Sequence, residues 1–313
     1  MANPARLQRV LSDFWAEHSF RQSCQRLKEH YGFELNASAA RDITLQHAGR
    51  AAARLEAGYE QSFRILPQTG PAYVVAEADG TMICTQPTGC KRQEPRPRQW
   101  KEMRLSAARA QGRVETFYAA GFNPVDEAGR RWGHCTREAG WALESRIHVV
   151  VDGAEWIRLQ SQEVFGEQAD VLMDFYHVSE YLAAAAGRCR PQSPQTWLRT
   201  QQKRLRRGAA AKVIEAMEAF AEPAATPEEE TPVRDAIGYL SNRLQYLDYP
   251  RALAHELPIG SGLIESGHKH VLHARLKQAG SAWLADNAHS IAQLRIIRAN
   301  HQWDDFWLPR KAA

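Results

Sequence analysis

The chain has 313 residues, 44% hydrophobic and 24% charged, a composition that indicates a folded globular protein rather than a disordered one. It has no apolar run near the roughly 18 residues of a membrane span, no apolar leader and no CxxC pair among its five cysteines, so membrane, secreted and zinc-ribbon proteins fit poorly and we expect a cytoplasmic protein. The 40 lysines and arginines and 36 acidic residues leave a net charge of +4, which by itself predicts no nucleic-acid partner.

The first sixty or so residues predict helices separated by a glycine turn. Apolar residues recur with helical spacing up to Tyr31, and Gly32 is a natural stop after them. A second helix follows, capped by Asn36 or Ser38. The pattern fits a DNA-reading helix-turn-helix and an ordinary helical hairpin equally well. In the first case the second helix would expose side chains suited to phosphates and base edges, namely Arg41, Thr44, Gln46 and Arg50.

From residue 71 the pattern changes to that of β-strands. Residues 73–78 and 81–85 are short apolar runs on either side of Asp79 and Gly80, which predicts a hairpin turn at this Asp-Gly pair. The segments after it are predicted to be a loop at 87–98, a strand at 100–108, and helix with turns at Gly121 and Gly129 over 112–140.

Two later strands each lead into an acidic residue. The β-branched run 146–151 ends at Asp152, and residues 169–173 lead into Asp174, with a helix predicted between them at 155–165. The remainder is mainly helical, broken by prolines up to about residue 255 and resuming after a turn at 258–262. This order of elements predicts an α/β protein with a mixed-sheet core and an all-helical insertion.

Three carboxylates stand where a metal site would need them. Asp79 and Asp152 are predicted to end strands, and Glu265 lies in the first turn of a helix. Side chains at strand ends converge at one edge of a sheet, and oxygen ligands are those that Mg²⁺ prefers. An Asp-Gly pair is also a common turn, and an acidic residue is favoured at a helix start, so spacing alone leaves both interpretations open.

The residues around these carboxylates resemble a known family. Residues 257–267 (LPIGSGLIESG) closely resemble the signature around the catalytic Glu of bacterial insertion-sequence transposases, most of all the ISKra type, which is related to the Mutator-like superfamily. Residues 75–80 and 151–157 are similar to the family's two Asp-bearing strands. Residues 174–177 (DFYH) match its C/D-x-x-H element. The resemblance covers residues 70–310.

This resemblance implies a ribonuclease-H-like core with an acidic triad that cuts and joins DNA using two Mg²⁺ or Mn²⁺ ions. Asp79 would contact both ions, and Asp152 and Glu265 would each complete the shell of one. Asp174 also follows a strand and is the alternative second acid. His177 would contact the scissile phosphate or the leaving 3′-oxygen, or would serve only the structure.

The resemblance also predicts how the chain is organised. We expect a helix-turn-helix-like DNA-binding domain at residues 1–66 and the first part of the catalytic core at 67–182. A helical insertion at 183–256 and a C-terminal part of the core at 257–313, carrying the catalytic Glu, would follow.

Basic residues cluster in two separated segments, 91–109 and 188–212. A solvated helix face would explain either segment alone, whereas two in one chain favour a polyanionic partner. Lys269 is a further candidate, although it could instead pair with Glu265 one helical turn away. The predicted DNA contacts are Arg41, Arg50, Lys91, Arg92, Lys203, Arg204, Arg206, Arg207, Lys269, Arg275 and Lys277.

We therefore predict a bacterial DNA transposase that acts on transposon ends and target DNA as a homodimer or larger assembly, in the cytoplasm and at the nucleoid. Two alternatives remain open: a domesticated DNA-binding protein that does not cut, and a non-mobile nuclease with the same core. Glu265 and His268 also form half of a di-iron motif, but no second copy is visible in the sequence.

Overall fold

The computed structural model describes residues 4–61, 65–88 and 97–308. In this part of the chain the protein is α/β, with many helices and with both antiparallel and parallel strand pairs. None of the described helices is long and apolar enough to cross a membrane. Contacts divide the chain into two units, which we describe separately: a first unit of Met1–Ser145 with Leu263–Ala313, and a second unit of Arg146–Gly262. The four-part division predicted from the family resemblance uses other boundaries and stays a prediction.

The elements follow in chain order. The first unit begins with α1 (Pro4–Glu17), α2 (Phe20–Tyr31), α3 (Ala37–Gln61), β1 (Tyr73–Gln86), β2 (Gln99–Ala110), β3 (Phe117–Gly121) and α4 (Val125–Glu138). The second unit contains β4 (Arg146–Val151), α5 (Glu155–Phe165), β5 (Ala169–Met173), α6 (Phe175–Cys189), α7 (Pro194–Arg206), α8 (Ala210–Glu218), α9 (Pro232–Ser241) and α10 (Tyr249–Ala254). The chain continues with α11 (Gly262–Gly267), a π-helical turn (His268–His273), α12 (Ala274–Leu276), β6 (Trp283–Leu284), α13 (Ala285–Ala299) and α14 (Trp303–Trp307).

The N-terminal helices form as the sequence predicts. Ser19 begins α2 with a capping box, and Gly32 ends it with a φ of 70°, a left-handed conformation that glycine adopts readily. One expectation for α3 is wrong: Thr44 is fully buried rather than exposed, because it lies on the same helical face as the buried residues Ala40 and Ala48. The helices share a small core of Leu11, Trp15, Leu27 and Ala40.

A buried arginine on α13 ties three elements of the first unit together. Arg295 is only 5% exposed, and its guanidinium donates to the backbone carbonyls of Ala16, His270 and Val271 at 2.5 Å each. It also forms an ion pair with Glu17 at 2.9 Å. Two of these carbonyls belong to the π-helical turn, so the arginine satisfies acceptors in the segment where the regular helical bonding pattern changes.

The sheet of the first unit is built on a long antiparallel ladder. β1 pairs with β2 over twelve positions, from Val74 opposite Ala110 to Thr85 opposite Gln99. On the outer side, β2 pairs antiparallel with β3, and the short β6 pairs parallel with the end of β1. A strand at residues 100–108 was predicted and is confirmed.

The predicted hairpin turn at Asp79 and Gly80 is wrong. Both residues lie in the middle of β1, opposite Leu105 and Arg104 of β2. The Asp-Gly pair favours a turn locally, but uninterrupted pairing with β2 on both sides of it outweighs this tendency. A Cβ at position 80 would lie 2.1 Å from the carboxylate of Glu102, so a larger residue there would require the Glu102 side chain to move.

The prediction of helix over residues 112–140 is partly wrong. Phe117–Gly121 forms β3, and the helix begins only at Val125. The segment starts with two aromatic residues that are favourable in strands, and it pairs with the free edge of β2. The turn predicted at Gly121 is where this strand ends, whereas Gly129 lies inside α4.

The second unit contains the two strands that the sequence predicts at 146–151 and 169–173. β4 and β5 pair in parallel, with Val149 opposite Val171, and α5 connects them at the residues predicted for it. The β-branched residues of β4 are buried on both faces, as is typical of parallel strands. Helices α6 to α10 follow, in agreement with the proline-interrupted helical region predicted for residues 178–255.

Gly267 of α11 packs closely against the sheet of the first unit. A Cβ there would lie 2.8 Å from the ring of Tyr118 and 3.0 Å from Leu105. We expect Gly267→Ala to lower the free energy of unfolding by about 1–3 kcal/mol, because either the ring or the helix must move. Gly49→Ala in α3 is the control: it has nothing within 4 Å and should be neutral or stabilising by up to about 1 kcal/mol. Urea unfolding measures both, and equal stability of the two variants would contradict the close packing.

Candidate functional site

Alternate side chains of β1 hold the helical segment that follows the second unit. Glu77, Asp79 and Thr81 lie on one face of the strand, because side chains alternate along it. The buried carboxylate of Glu77 accepts a hydrogen bond from a backbone N–H of α11 at 2.8 Å. Oδ2 of Asp79 lies 3.1 Å from Nε2 of His268, and the hydroxyl of Thr81 lies 2.8 Å from Nε2 of His273. We call these five residues the Asp79 cluster.

The π-helical turn explains how both histidines reach the strand. In an α-helix, residues five apart point in different directions, whereas the i to i+5 bonding of a π-helix brings them onto one side. The rings of His268 and His273 accordingly stack, with centroids 5.4 Å apart and planes inclined by 20°. The sequence predicted a regular helix here, which would not have placed both rings beside β1.

The Asp79 cluster combines buried and accessible groups. His268 is only 5% exposed, whereas the side chain of Asp79 is 40% exposed. Burial, followed by the charges of Lys277 and His268, lowers the pKa of His273 to about 4, against a smaller opposite effect of Asp79. His273 is therefore neutral near pH 7, and the Asp79 carboxylate beside it remains accessible to solvent.

Glu265 lies on the same helical segment, one turn before His268. Its side chain is exposed, and so is that of Lys269. The i,i+4 ion pair considered for these two residues does not form in the described part of the chain. The Asp79 cluster thus connects the strand of the first predicted acid to the helix of the third.

In the second unit, Asp152 directly follows β4, as predicted. Its Oδ1 accepts a hydrogen bond from the N–H of Ala154 at 2.9 Å, and its backbone carbonyl accepts one from the hydroxyl of Tyr239 at 2.8 Å. Gly153 has a φ of 109°, and a Cβ there would lie 2.7 Å from the Tyr239 hydroxyl. A residue of the predicted helical insertion therefore fixes the backbone at Asp152, which no sequence signal indicated.

Asp174 is buried and bonded at both carboxylate oxygens. It caps α6 by accepting from the N–H groups of Tyr176 at 2.6 Å and His177 at 3.1 Å. Its other oxygen accepts from the N–H of Ser261 at 2.7 Å and from the Ser261 hydroxyl. Next to Ser261, Gly260 passes so close to the Tyr176 ring that a Cβ would lie 2.5 Å from it. The Gly-Ser-Gly motif is therefore fastened to the start of α6.

His177 packs among aromatic side chains. Its ring makes edge contacts with Tyr181 at 5.6 Å and Tyr239 at 5.8 Å between centroids, and these two tyrosines stack on each other at 4.0 Å. Its Nδ1 lies 3.4 Å from the carboxylate of Glu180. Through Tyr239, His177 is part of the packing that supports the Asp152 backbone.

The predicted DNA contacts have different surroundings. Arg41 is exposed and paired with Asp42, whereas Arg50 is exposed with its guanidinium 5.1 Å from the Phe306 ring. Arg204 is half-buried. Lys91 and Arg92 lie outside the described residues. The exposed set also includes Lys203, Arg206, Arg207, Lys269 and Lys277.

Arg275 differs from this expectation because it is buried. Its guanidinium lies 4.6 Å from the Trp283 ring and 5.3 Å from the Phe20 ring, and it donates to the carbonyl of Trp15 at 3.0 Å. Burial, with a contribution from the charge of Arg295, lowers its pKa to about 10. Arg275 is a core contact of the first unit, so we leave it out of the DNA-binding surface considered below.

Comparison of the chain with protein-family models finds no match, and comparison with curated proteins finds none either. Among the described residues, no group of three or more His, Cys, Asp or Glu side chains is arranged so that it could hold a metal ion. Asp79 and Glu265 belong to the first unit, and Asp152 and Asp174 to the second. The transposase family, the acidic triad and its metal ions therefore stay predictions.

The four hydrogen bonds of Asp174 should contribute to the stability of the fold. We expect Asp174→Ala to lower the free energy of unfolding by about 2–4 kcal/mol, because it removes a helix cap and leaves buried donors unpaired. Asp152→Asn, which keeps the acceptor for Ala154, should change it by less than about 1 kcal/mol. Denaturant unfolding measures both. An Asp174→Ala variant as stable as wild type would show that this carboxylate is not a structural anchor.

Proposed function

We propose that this protein cuts and joins DNA as an insertion-sequence transposase, with Asp79, Asp152 and Glu265 as its acidic triad. The observation that carries the proposal is the Asp79 cluster. It attaches the helix of Glu265 to the strand of Asp79, while leaving both carboxylates accessible to solvent. The family resemblance predicts the same two residues as partners.

The order of elements supports the proposed core. Three antiparallel strands, a helix, a strand, a helix and a second parallel strand follow one another along the chain. This order is compatible with a ribonuclease-H-like fold, in which we place Asp79 on the first strand and Asp152 at the end of the fourth. The helices from α7 to α10 then correspond to the insertion.

The hydrogen bonds of the second unit favour Asp152 over Asp174 as the second acid. Asp174 accepts four hydrogen bonds from protein donors. Among the described residues, the Asp152 carboxylate accepts only one, from the N–H of Ala154. A ligand would have to displace the cap of α6 and Ser261 from Asp174. At Oδ2 of Asp152 a ligand would not have to displace a protein donor.

Three carboxylates are a suitable donor set for Mg²⁺ or Mn²⁺, because hard cations prefer oxygen ligands. When bound, two such ions would activate a nucleophilic oxygen and stabilise the leaving oxygen of a phosphodiester. The residues of the chain would hold the ions and set their positions: His268 and the cap at Gly80 N–H restrain the Asp79 carboxylate, and Tyr239 restrains the backbone of Asp152.

Exposed basic side chains supply the proposed phosphate contacts. In the second unit these are Lys203, Arg206 and Arg207 at the end of α7, where the Arg206 guanidinium lies 4.6 Å from the Phe175 ring. In the first unit they are Lys269 and Lys277. Such contacts position DNA without reading its sequence, and they make binding sensitive to salt.

A second candidate is a DNA-binding protein that does not cut. It is favoured by the absence, among the described residues, of a three-ligand group ready to hold a metal. Both candidates predict DNA binding, so cutting distinguishes them.

Cleavage tests the proposal directly. We expect the wild-type protein to nick supercoiled plasmid DNA with Mg²⁺ or Mn²⁺ and not with EDTA. Asp79→Asn, Asp152→Asn and Glu265→Gln should each leave less than about 1% of this rate, because each removes a charged metal ligand. DNA affinity, measured by fluorescence anisotropy, should change by less than about threefold.

Asp305→Asn is the matched control, because Asp305 is exposed on α14 and has no proposed role. Nicking by the triad variants at the wild-type rate would contradict the proposal. DNA binding without any metal-dependent nicking by the wild-type protein would favour the non-cutting candidate. Nicking without joined products, on a substrate that contains the transposon ends, would indicate a nuclease.

A further inference from the structure

A cavity of about 400 Å³ lies within the second unit, beside the end of β4. Val151 and Gly153, the two neighbours of Asp152 in the chain, are part of its wall. The side chains of Val171 and Met173 on β5 extend this wall with apolar surface. The cavity thus borders the residue proposed above as the second acid, and it has an apolar side against which a flat ring could pack.

The charged groups around the cavity favour an anion. Arg158 forms an ion pair with Glu155, so these two charges compensate each other. Arg243 is half-buried, and its guanidinium lies 4.2 Å from the Tyr239 ring and 3.4 Å from the carbonyls of Tyr239 and Gly153. In the described part of the chain no carboxylate forms an ion pair with Arg243. Glu155 also attracts Arg243 electrostatically, so the cavity wall carries two arginines and one carboxylate and keeps a net positive charge.

The remaining wall is polar and aromatic. Asn242, Gln245 and Tyr246 contribute two amides and a phenol ring to the lining. A phosphate alone would leave the apolar surface without a contact, and an apolar ligand would leave the arginine and the amides without partners. A nucleotide can contact all of them: its planar base packs on the apolar surface, its base edges bond to the amides and its phosphate pairs with the arginine. Sites for small molecules commonly have volumes of about 300–1,000 Å³, which includes this cavity.

We propose that this cavity binds one nucleotide turned out of a DNA strand next to Asp152, with its base against the apolar wall and its phosphate at Arg243. The inference rests on the proposed function for the source of the nucleotide, because a free nucleoside monophosphate has the same chemistry. Turning a base out of a duplex is easiest where the base is already unpaired. Unpaired positions are therefore the ones that the cavity should prefer.

The test compares two fluorescent duplexes of equal length, one fully paired and one with a single unpaired nucleotide, by anisotropy in the presence of EDTA. Without a metal no cutting occurs, so the result does not depend on the triad. We expect the duplex with the unpaired nucleotide to bind about tenfold more tightly, because its base removes the apolar surface of Val171 and Met173 from water. Arg243→Ala should reduce this preference to less than about twofold, because it removes the net positive charge of the cavity wall.

Asn242→Trp provides a second variant, which fills the cavity from an exposed position and leaves the contacts of Arg243 in place. It should also abolish the preference, and thermal unfolding of both variants confirms that they fold. Arg199→Ala is the control, because Arg199 is an exposed arginine on α7 that does not line the cavity. It should keep the full preference even if it weakens binding to both duplexes.

Three results would overturn the inference. The first is equal binding of the two duplexes by the wild-type protein. The second is a preference that persists in both Arg243→Ala and Asn242→Trp. The third is binding of free dAMP as tight as that of the duplex with the unpaired nucleotide, which would make the cavity a site for a free nucleotide. Plasmid nicking is measured separately, with Mg²⁺ or Mn²⁺ present. The wild-type protein could still nick DNA after any of these three results, so failure of this inference is distinguishable from failure of the proposed function.

Discussion

The alternation of side chains along β1 is the constraint on which the first unit's site depends. Glu77, Asp79 and Thr81 share one face, and each meets the helical segment that carries Glu265. A shift of one residue in the pairing of β1 would present alanine, alanine and glycine instead, and all three contacts would be lost. The buried carboxylate of Glu77 adds to this constraint, because without its hydrogen bond from α11 its burial would be unfavourable.

The second unit relies on a different interaction, a buried carboxylate that joins two segments of chain. Asp174 caps α6 and binds Ser261, so the residues that most resemble the transposase signature are held by hydrogen bonds to the D-x-x-H element. His177 and Tyr239 continue this packing to the backbone of Asp152. Glu77 in the first unit and Asp174 in the second are buried carboxylates that hold backbone in place. The acids proposed for chemistry, Asp79, Asp152 and Glu265, are more exposed.

Local sequence patterns correctly predicted the elements whose own residues favour the structure that they form, such as β4, α5 and β5. The Asp-Gly pair shows the limit of such patterns, since it occurs at positions 79–80 and 152–153 with opposite outcomes. Gly153 ends a strand with positive φ, whereas Gly80 stays in a strand because β2 pairs with residues on both sides of it. The π-helical turn at His268 contacts Arg295 and the buried Arg275 contacts Trp15, partners distant in sequence, so no local pattern could indicate either feature.

We propose that Asp79, Asp152 and Glu265 hold two divalent cations. Titration of the protein with Mn²⁺, followed by the electron paramagnetic resonance signal of the free ion, measures this without DNA or catalysis. We expect two bound ions for the wild-type protein and the loss of at least one in Asp79→Asn, with Asp305→Asn unchanged. Wild-type protein that binds no Mn²⁺, or an Asp79→Asn variant that binds as many ions as wild type, would contradict it.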